Sequence, residues 1–138
     1  MKKLVLIVLA IFIVASVSQL SAQEKKVIEQ KAAKVEKSRG EDPNITNPRP
    51  TSDDNPVPKP NEATRGSYCK VIIDNWTGYA IDIYVDGSYA GTVGAWGNGY
   101  TWAIEGKTKL YGVSTGGSMY WGPTYVDCYS EYTWKLVN

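Results

Sequence analysis

The chain has 138 residues, a formal net charge of +1 and no histidine. That length bounds one domain with appendages, and the near-zero charge leaves no polybasic arm for nucleic acid or anionic lipid. Without histidine, neither a Ser-His nor a Cys-His nucleophile can be assembled, and two cysteines alone do not complete a tetrahedral zinc site. No metal and no cofactor are therefore expected.

Residues 1–22 read as a secretory signal peptide. Lys2 and Lys3 form a positive start, Leu4 to Val17 is a nearly unbroken apolar run, and Ser21-Ala22-Gln23 follows as a cleavage site. The run is shorter than the roughly 20 residues that span a bilayer, so no stable membrane span is expected after cleavage. The Lys-Lys start resembles the signal peptides of Gram-negative bacteria, which implies a periplasmic or extracellular protein.

Residues 23–66 read as a linker without tertiary contacts. Up to Arg39 the segment is charged, with Val27, Ile28, Ala32 and Val35 giving a helical stripe too thin for a core helix. From Gly40 to Gly66 it carries six of the seven prolines and almost nothing apolar, which predicts an extended spacer.

Residues 67–138 read as the folded domain. All 10 tyrosines and all 5 tryptophans lie there, with 11 of the 13 glycines in turn-like clusters. Cys69, Val71 and Ile73 alternate with Lys70, Ile72 and Asp74. Ile81, Ile83 and Val85 alternate with Asp82, Tyr84 and Asp86. These are period-2 patterns of half-buried strands. Thr77-Gly78 and Asp86-Gly87 supply turns, so residues 68–93 predict three consecutive antiparallel strands. Further strands are expected at 100–104, 108–115, 119–121, 124–129 and 132–137, with Gly122-Pro123 interrupting the chain. About seven short strands without a helical pattern predict an all-β fold, a small antiparallel β-sandwich.

Cys69 in the first strand and Cys128 near the end of the domain are expected to pair in an oxidising compartment. Two buried free thiols are the alternative, and whether a bridge would lie within or between sheets is open from sequence.

The run Val85-Asp86-Gly87-Ser88-Tyr89-Ala90-Gly91-Thr92, with alternating apolar residues before it, resembles PEGA-type surface modules. Those are short bacterial extracytoplasmic β domains built on such a hairpin. The resemblance covers about a dozen residues and departs where Val93-Gly94-Ala95-Trp96 replaces the proline usual after Gly-Thr. It implies an interaction or cell-envelope module with no catalytic activity, and it carries no site residues.

Candidate chemistry is sparse. Asp74, Asp82, Asp86, Asp127 and Glu131 could form a carboxylate pair, but turns and polar strand faces explain Asp86 and Asp82, and no enzyme is expected. Asp74-Asn75 approaches a calcium ligand pair and reads better as a turn initiator. Asn44-Ile45-Thr46 and Asn75-Trp76-Thr77 match the N-glycosylation pattern. The aromatic surplus is the distinctive feature. Fifteen large aromatics exceed what a thin core of 72 residues holds, so several are expected on the surface, where Trp and Tyr stack on the apolar faces of sugar rings. The candidate ligand-binding residues are Trp76 beside Asp74, Trp96 beside Asn98, and Trp121 before Gly122-Pro123. Tyr84 with Asp82, and Tyr125 with Asp127 and Tyr129, are further candidates on strand faces. The expected function is an exported, non-enzymatic binding module whose partner is a protein or envelope component. A carbohydrate-binding module is the alternative.

Overall fold

The computed structural model describes residues 26–36, 42–50 and 67–138. The expected signal peptide and residues 51–66 lie outside the described residues. The described chain is all-β, with nine strands in two sheets packed as a sandwich. The strands are β1 (Lys26–Lys31), β2 (Ala33–Lys34), β3 (Tyr68–Asn75), β4 (Ile81–Val85), β5 (Ser88–Val93), β6 (Asn98–Ile104), β7 (Gly106–Ser114), β8 (Met119–Cys128) and β9 (Glu131–Val137). One sheet has the order β1-β9-β3-β6 and the other β2-β8-β7-β4-β5. Among the described residues, no helix is long and apolar enough to cross a membrane.

The period-2 patterns dictate which residues face inward. Cys69, Val71 and Ile73 of β3 meet Ile81 and Ile83 of β4, with Tyr132, Trp134 and Leu136 of β9 beside them. Gly112 of β7 keeps room for Ile81 and Trp134: a Cβ there would lie 3.0 Å from Ile81 and 3.5 Å from Trp134. Cys69 and Cys128 are joined by a disulfide. Because β3 and β8 belong to different sheets, the bridge crosses the sandwich.

Four expectations need correction. First, β3, β4 and β5 are not one antiparallel run: β3 lies in the first sheet, and β4 pairs with β5 and β7 in the second. The turn at Thr77-Gly78 carries the chain between layers, because both strands alternate with one apolar face and those faces bury each other rather than lie side by side. Second, the first sheet is mixed, since β1 and β3 both run parallel to β9. Third, Gly122-Pro123 does not break a strand. The ladder absorbs it by a register shift opposite, between Leu110 and Gly112, with Gly122 at φ 94. A Cβ there would sit 2.8 Å from the Leu110 carbonyl oxygen, so only glycine fits.

Fourth, the described parts of 23–66 have tertiary contacts. Residues 26–31 add to β9, Ala33–Lys34 add to β8, and the Ala32 N–H between them donates to the Val137 carbonyl at 2.9 Å. This strap passes from one sheet to the other and closes that side of the sandwich. Lys135 and Glu29, opposite each other in register, form an ion pair at 3.1 Å. Residues 42–50 lie on the second sheet. The Thr46 and Asn47 amides donate to the Gly87 carbonyl, Tyr89 N–H donates to the Asn47 carbonyl, and Arg49 pairs with Asp82 at 3.4 Å. A Cβ on Gly87 would lie 2.6 Å from Thr46 Oγ1, so the close approach requires the glycine of the hairpin.

That cover explains why Tyr84 and Asp82 are buried although the alternation turns them outward. Tyr84 neighbours Tyr89 and Tyr111, and Tyr111 neighbours Tyr120, with ring centroids 5.9–6.4 Å apart. A row of four tyrosines thus crosses β5, β4, β7 and β8. The Tyr111 hydroxyl donates to Asp42. Burial raises the Tyr111 phenol well above its usual range, with the Asp42 hydrogen bond adding to it. Burial also raises Tyr84, followed by the Asp82 charge, and burial alone raises Tyr132.

An alkaline stability limit follows. Below about pH 10 these phenols are neutral in both folded and unfolded chains, and their contribution is fully present. Above it the unfolded chain ionises first, so stability is lost as pH rises through the raised folded values. In a phenolate absorbance titration, these three of the 10 tyrosines should ionise only together with loss of the near-ultraviolet dichroism. Their titration in the intact fold at the usual pH would contradict the burial.

Candidate functional site

Seven of the 15 tyrosines and tryptophans are exposed: Trp76, Tyr79, Trp96, Tyr100, Trp102, Tyr125 and Tyr129. The expected surplus is therefore present. Trp76, Tyr79 and Trp96 fall in the loops at one end of the sandwich, Tyr100 and Trp102 on the outer face of β6, and Tyr125 and Tyr129 on β8 and directly after it.

The end site is built on Asn75. This side chain is buried, and its hydrogen bonds stitch two loops together. Its Nδ2 donates to the carbonyls of Tyr79 and Gly94, both at 2.8 Å. Its Oδ1 accepts from the Thr77 N–H at 3.0 Å and the Thr77 hydroxyl at 2.7 Å. The turn-initiating role expected of Asp74-Asn75 is thus carried by Asn75. A buried amide with every such contact made is rigid and specific. It also leaves the Asn75-Trp76-Thr77 glycosylation pattern with a buried acceptor. Asn75 N–H donates to the Gly97 carbonyl and Trp96 N–H to the Thr77 carbonyl, so both loops share one end.

Trp76 and Trp96 are 54% and 68% exposed there. Trp76 is braced: its Nε1 donates to Asp74 Oδ2 at 2.7 Å, and the Lys135 ammonium lies 5.2 Å from its ring centroid. Asn98 and Lys135 are the register neighbours of Asp74 on either side. Sequence reasoning missed Lys135, which reaches the site only through the parallel pairing of β3 with β9. Tyr79, also exposed, was missed because it reads as loop filler.

Trp96 differs. Among the described residues no side-chain hydrogen bond holds its indole. It sits third in a turn, residues 94–97, closed by Gly97 N–H to the Gly94 carbonyl, and its φ is 55°. That left-handed conformation suits glycine or asparagine and costs other residues about 1–2 kcal/mol. At an ordinary exposed site alanine is more stable than glycine by about 0.4–1 kcal/mol, through the unfolded chain. Here the order should reverse. We expect Trp96→Gly to be more stable than Trp96→Ala by about 1 kcal/mol in urea denaturation. The usual order would show that the turn carries no strain.

Trp121 does not belong to the site. It is fully buried, and its Nε1 donates to the Val137 carbonyl at 2.9 Å. Because the register shift at Gly122-Pro123 switches the inward phase of β8, Trp121 faces inward on one side of it as Val126 and Cys128 do on the other, and Trp121 lies opposite Gly112. Tyr84, the strand-face candidate, is covered by residues 42–50. Tyr125 and Tyr129 are exposed, with Lys107 lying 5.9 Å from the Tyr125 ring. The structure thus brings Trp76, Trp96, Asp74 and Asn98 to one end and excludes Trp121.

The arrangement defines a rigid β-sandwich presenting two indoles, a carboxylate, an amide and an ammonium group at one end. Its chemistry is stacking and hydrogen bonding. No protein-family model, no curated protein and no solved structure matches the chain.

Proposed function

We propose that this chain is an exported, non-enzymatic binding module whose recognition end is formed by Trp76 and Trp96, with a protein or cell-envelope component as partner. The observation that carries the reading is Trp96, a large exposed aromatic kept at a backbone position that favours glycine. Backbone strain of this kind, held by a rigid surround, clusters at ligand contacts. The inter-sheet disulfide is compatible with export. The resemblance of residues 85–92 to PEGA-type modules points to the same class.

The glycan alternative draws on a specific feature. Asp74 and Asn98 are register partners at the same end, so an indole face and hydroxyl-bonding groups stand together.

Trp96→Gly tests both readings, because it removes the indole without disturbing the turn. Binding to an envelope fraction of the source cells should weaken by about 1–3 kcal/mol, the scale of one aromatic anchor. Unchanged binding in a folded Trp96→Gly variant would overturn the recognition end. A glycan array read by tryptophan fluorescence separates the partner classes: a saturable sugar-dependent change lost in Trp96→Gly supports the glycan, and its absence leaves the protein or envelope partner.

A further inference from the structure

Two sheets have four edges, and three of them are protected. β1 carries Lys26, Glu29 and Lys31, β2 has two residues, and the start of β5 is covered by the bridge from Asn47 to Ser88. Charge, shortness and cover are the usual ways of preventing edge-to-edge pairing. Among the described residues, β6 has none of these. It runs Asn98-Gly99-Tyr100-Thr101-Trp102-Ala103-Ile104 without a charge or a proline. Its ladder to β3 is unbroken, from Tyr68 opposite Ile104 to Asp74 opposite Asn98.

The phase of that ladder shows what the open edge offers. The Gly97 carbonyl accepts from Asn75, and Glu105 N–H donates to the Ser67 carbonyl, so the odd-numbered residues bond to β3. In an antiparallel pair the alternate residues point the other way. Asn98, Tyr100, Trp102 and Ile104 therefore turn their N–H and C=O groups toward the free edge. The same four carry their side chains on the outer face, where Tyr100, Trp102 and Ile104 are exposed by 63%, 42% and 66%. Tyr100 and Trp102 already form an edge-to-face pair at 6.3 Å, and Lys70 lies 5.0 Å from the Tyr100 ring. The aromatic surface is thus arranged before any partner arrives.

We infer that β6 pairs antiparallel with β6 of a second copy about a two-fold axis at Thr101, joining two sheets into one continuous sheet. The strand is complementary to itself in this register. Tyr100 lies opposite Trp102 of the partner, Thr101 opposite Thr101, Gly99 opposite Ala103 and Asn98 opposite Ile104. Aromatic–aromatic and Thr–Thr neighbours are favourable cross-strand pairs, and a glycine faces a small residue on the inner side. Four outward-turned residues per copy give about eight backbone hydrogen bonds. Glu105 falls opposite Gly97, so no like charges meet. A charged peptide from another protein finds no ion partner along β6, whereas a second copy matches at each position.

Sedimentation velocity over a wide range of concentration, with the disulfide intact, tests this. A reversible monomer–dimer equilibrium is expected. Tyr100→Lys combined with Trp102→Lys places like charges opposite each other across the axis and should weaken the dimer about tenfold or more. Both sites are exposed, so circular dichroism should be unchanged. Thr101→Cys gives an independent readout. Directly opposed Cα atoms about 4.5 Å apart lie within disulfide reach, so oxidation should yield a covalent dimer through residue 101. A monomer at every concentration overturns the inference. So does a dimer indifferent to the lysine pair, a Thr101→Cys variant that does not cross-link, or a monomer that takes an extended peptide along β6 in place of its copy.

Discussion

Trp121→Ala is expected to destabilise the protein by about 4 kcal/mol, near the middle of the range for removing a large buried aromatic. The indole is fully buried, and its Nε1–H satisfies the Val137 carbonyl at 2.9 Å. Truncation would leave a cavity between the sheets and remove one of the two hydrogen bonds that the Val137 carbonyl accepts, the other coming from the Ala32 N–H, and both effects act in one direction. Small domains have about 5–15 kcal/mol in total, so the variant should be partly unfolded at elevated temperature. Trp96→Gly, by contrast, should retain its fold. Chemical denaturation of the two variants side by side checks this. A Trp121→Ala variant with unaltered midpoint would place that indole outside the core. The comparison also bears on function: loss of binding in Trp121→Ala reports unfolding, whereas loss in Trp96→Gly reports a contact.

Replacing both Cys69 and Cys128 by alanine should lower stability by a similar amount. The two residues are 59 apart in sequence. Closing a loop of that length removes conformational entropy from the unfolded chain equivalent to about 4 kcal/mol. The double replacement leaves no orphan thiol, and alanine occupies the same inward positions. Urea midpoints for the oxidised protein, the reduced protein and the double variant should place the last two together, well below the first. A difference under about 1 kcal/mol would show that the unfolded chain is not constrained by the bridge in the way the chain-entropy account requires.

Much of the domain is legible in the sequence because it depends on neighbours a few residues apart. The alternation at Cys69, Val71 and Ile73 and at Ile81 and Ile83 determines which faces are apolar, since a strand turns successive side chains to opposite sides. Asp86-Gly87 determines a two-residue hairpin because both residues accept positive φ, here 51° and 84°. The length of the domain against its count of large aromatics determines that some rings must lie outside. What alternation does not say is which strand lies beside which. Strands β3 and β4 look like neighbours and lie in different sheets, because an apolar face can be buried by a layer above as well as by a strand alongside. The residues in β1 resemble a weak helical stripe. They become a strand because β9, 106 residues away at the Glu29–Lys135 pair, presents an open ladder whose hydrogen bonds outweigh local preference. The cover over Tyr84 and Tyr111 depends in the same way on distant residues, Arg49 and Asp42. The phase of β8 through Gly122-Pro123 depends on the register shift in β7 opposite, and that shift decides whether Trp121 is a surface ring or the centre of the core. Each of these outcomes turns on a partner distant in sequence, and only the folded chain brings it into contact.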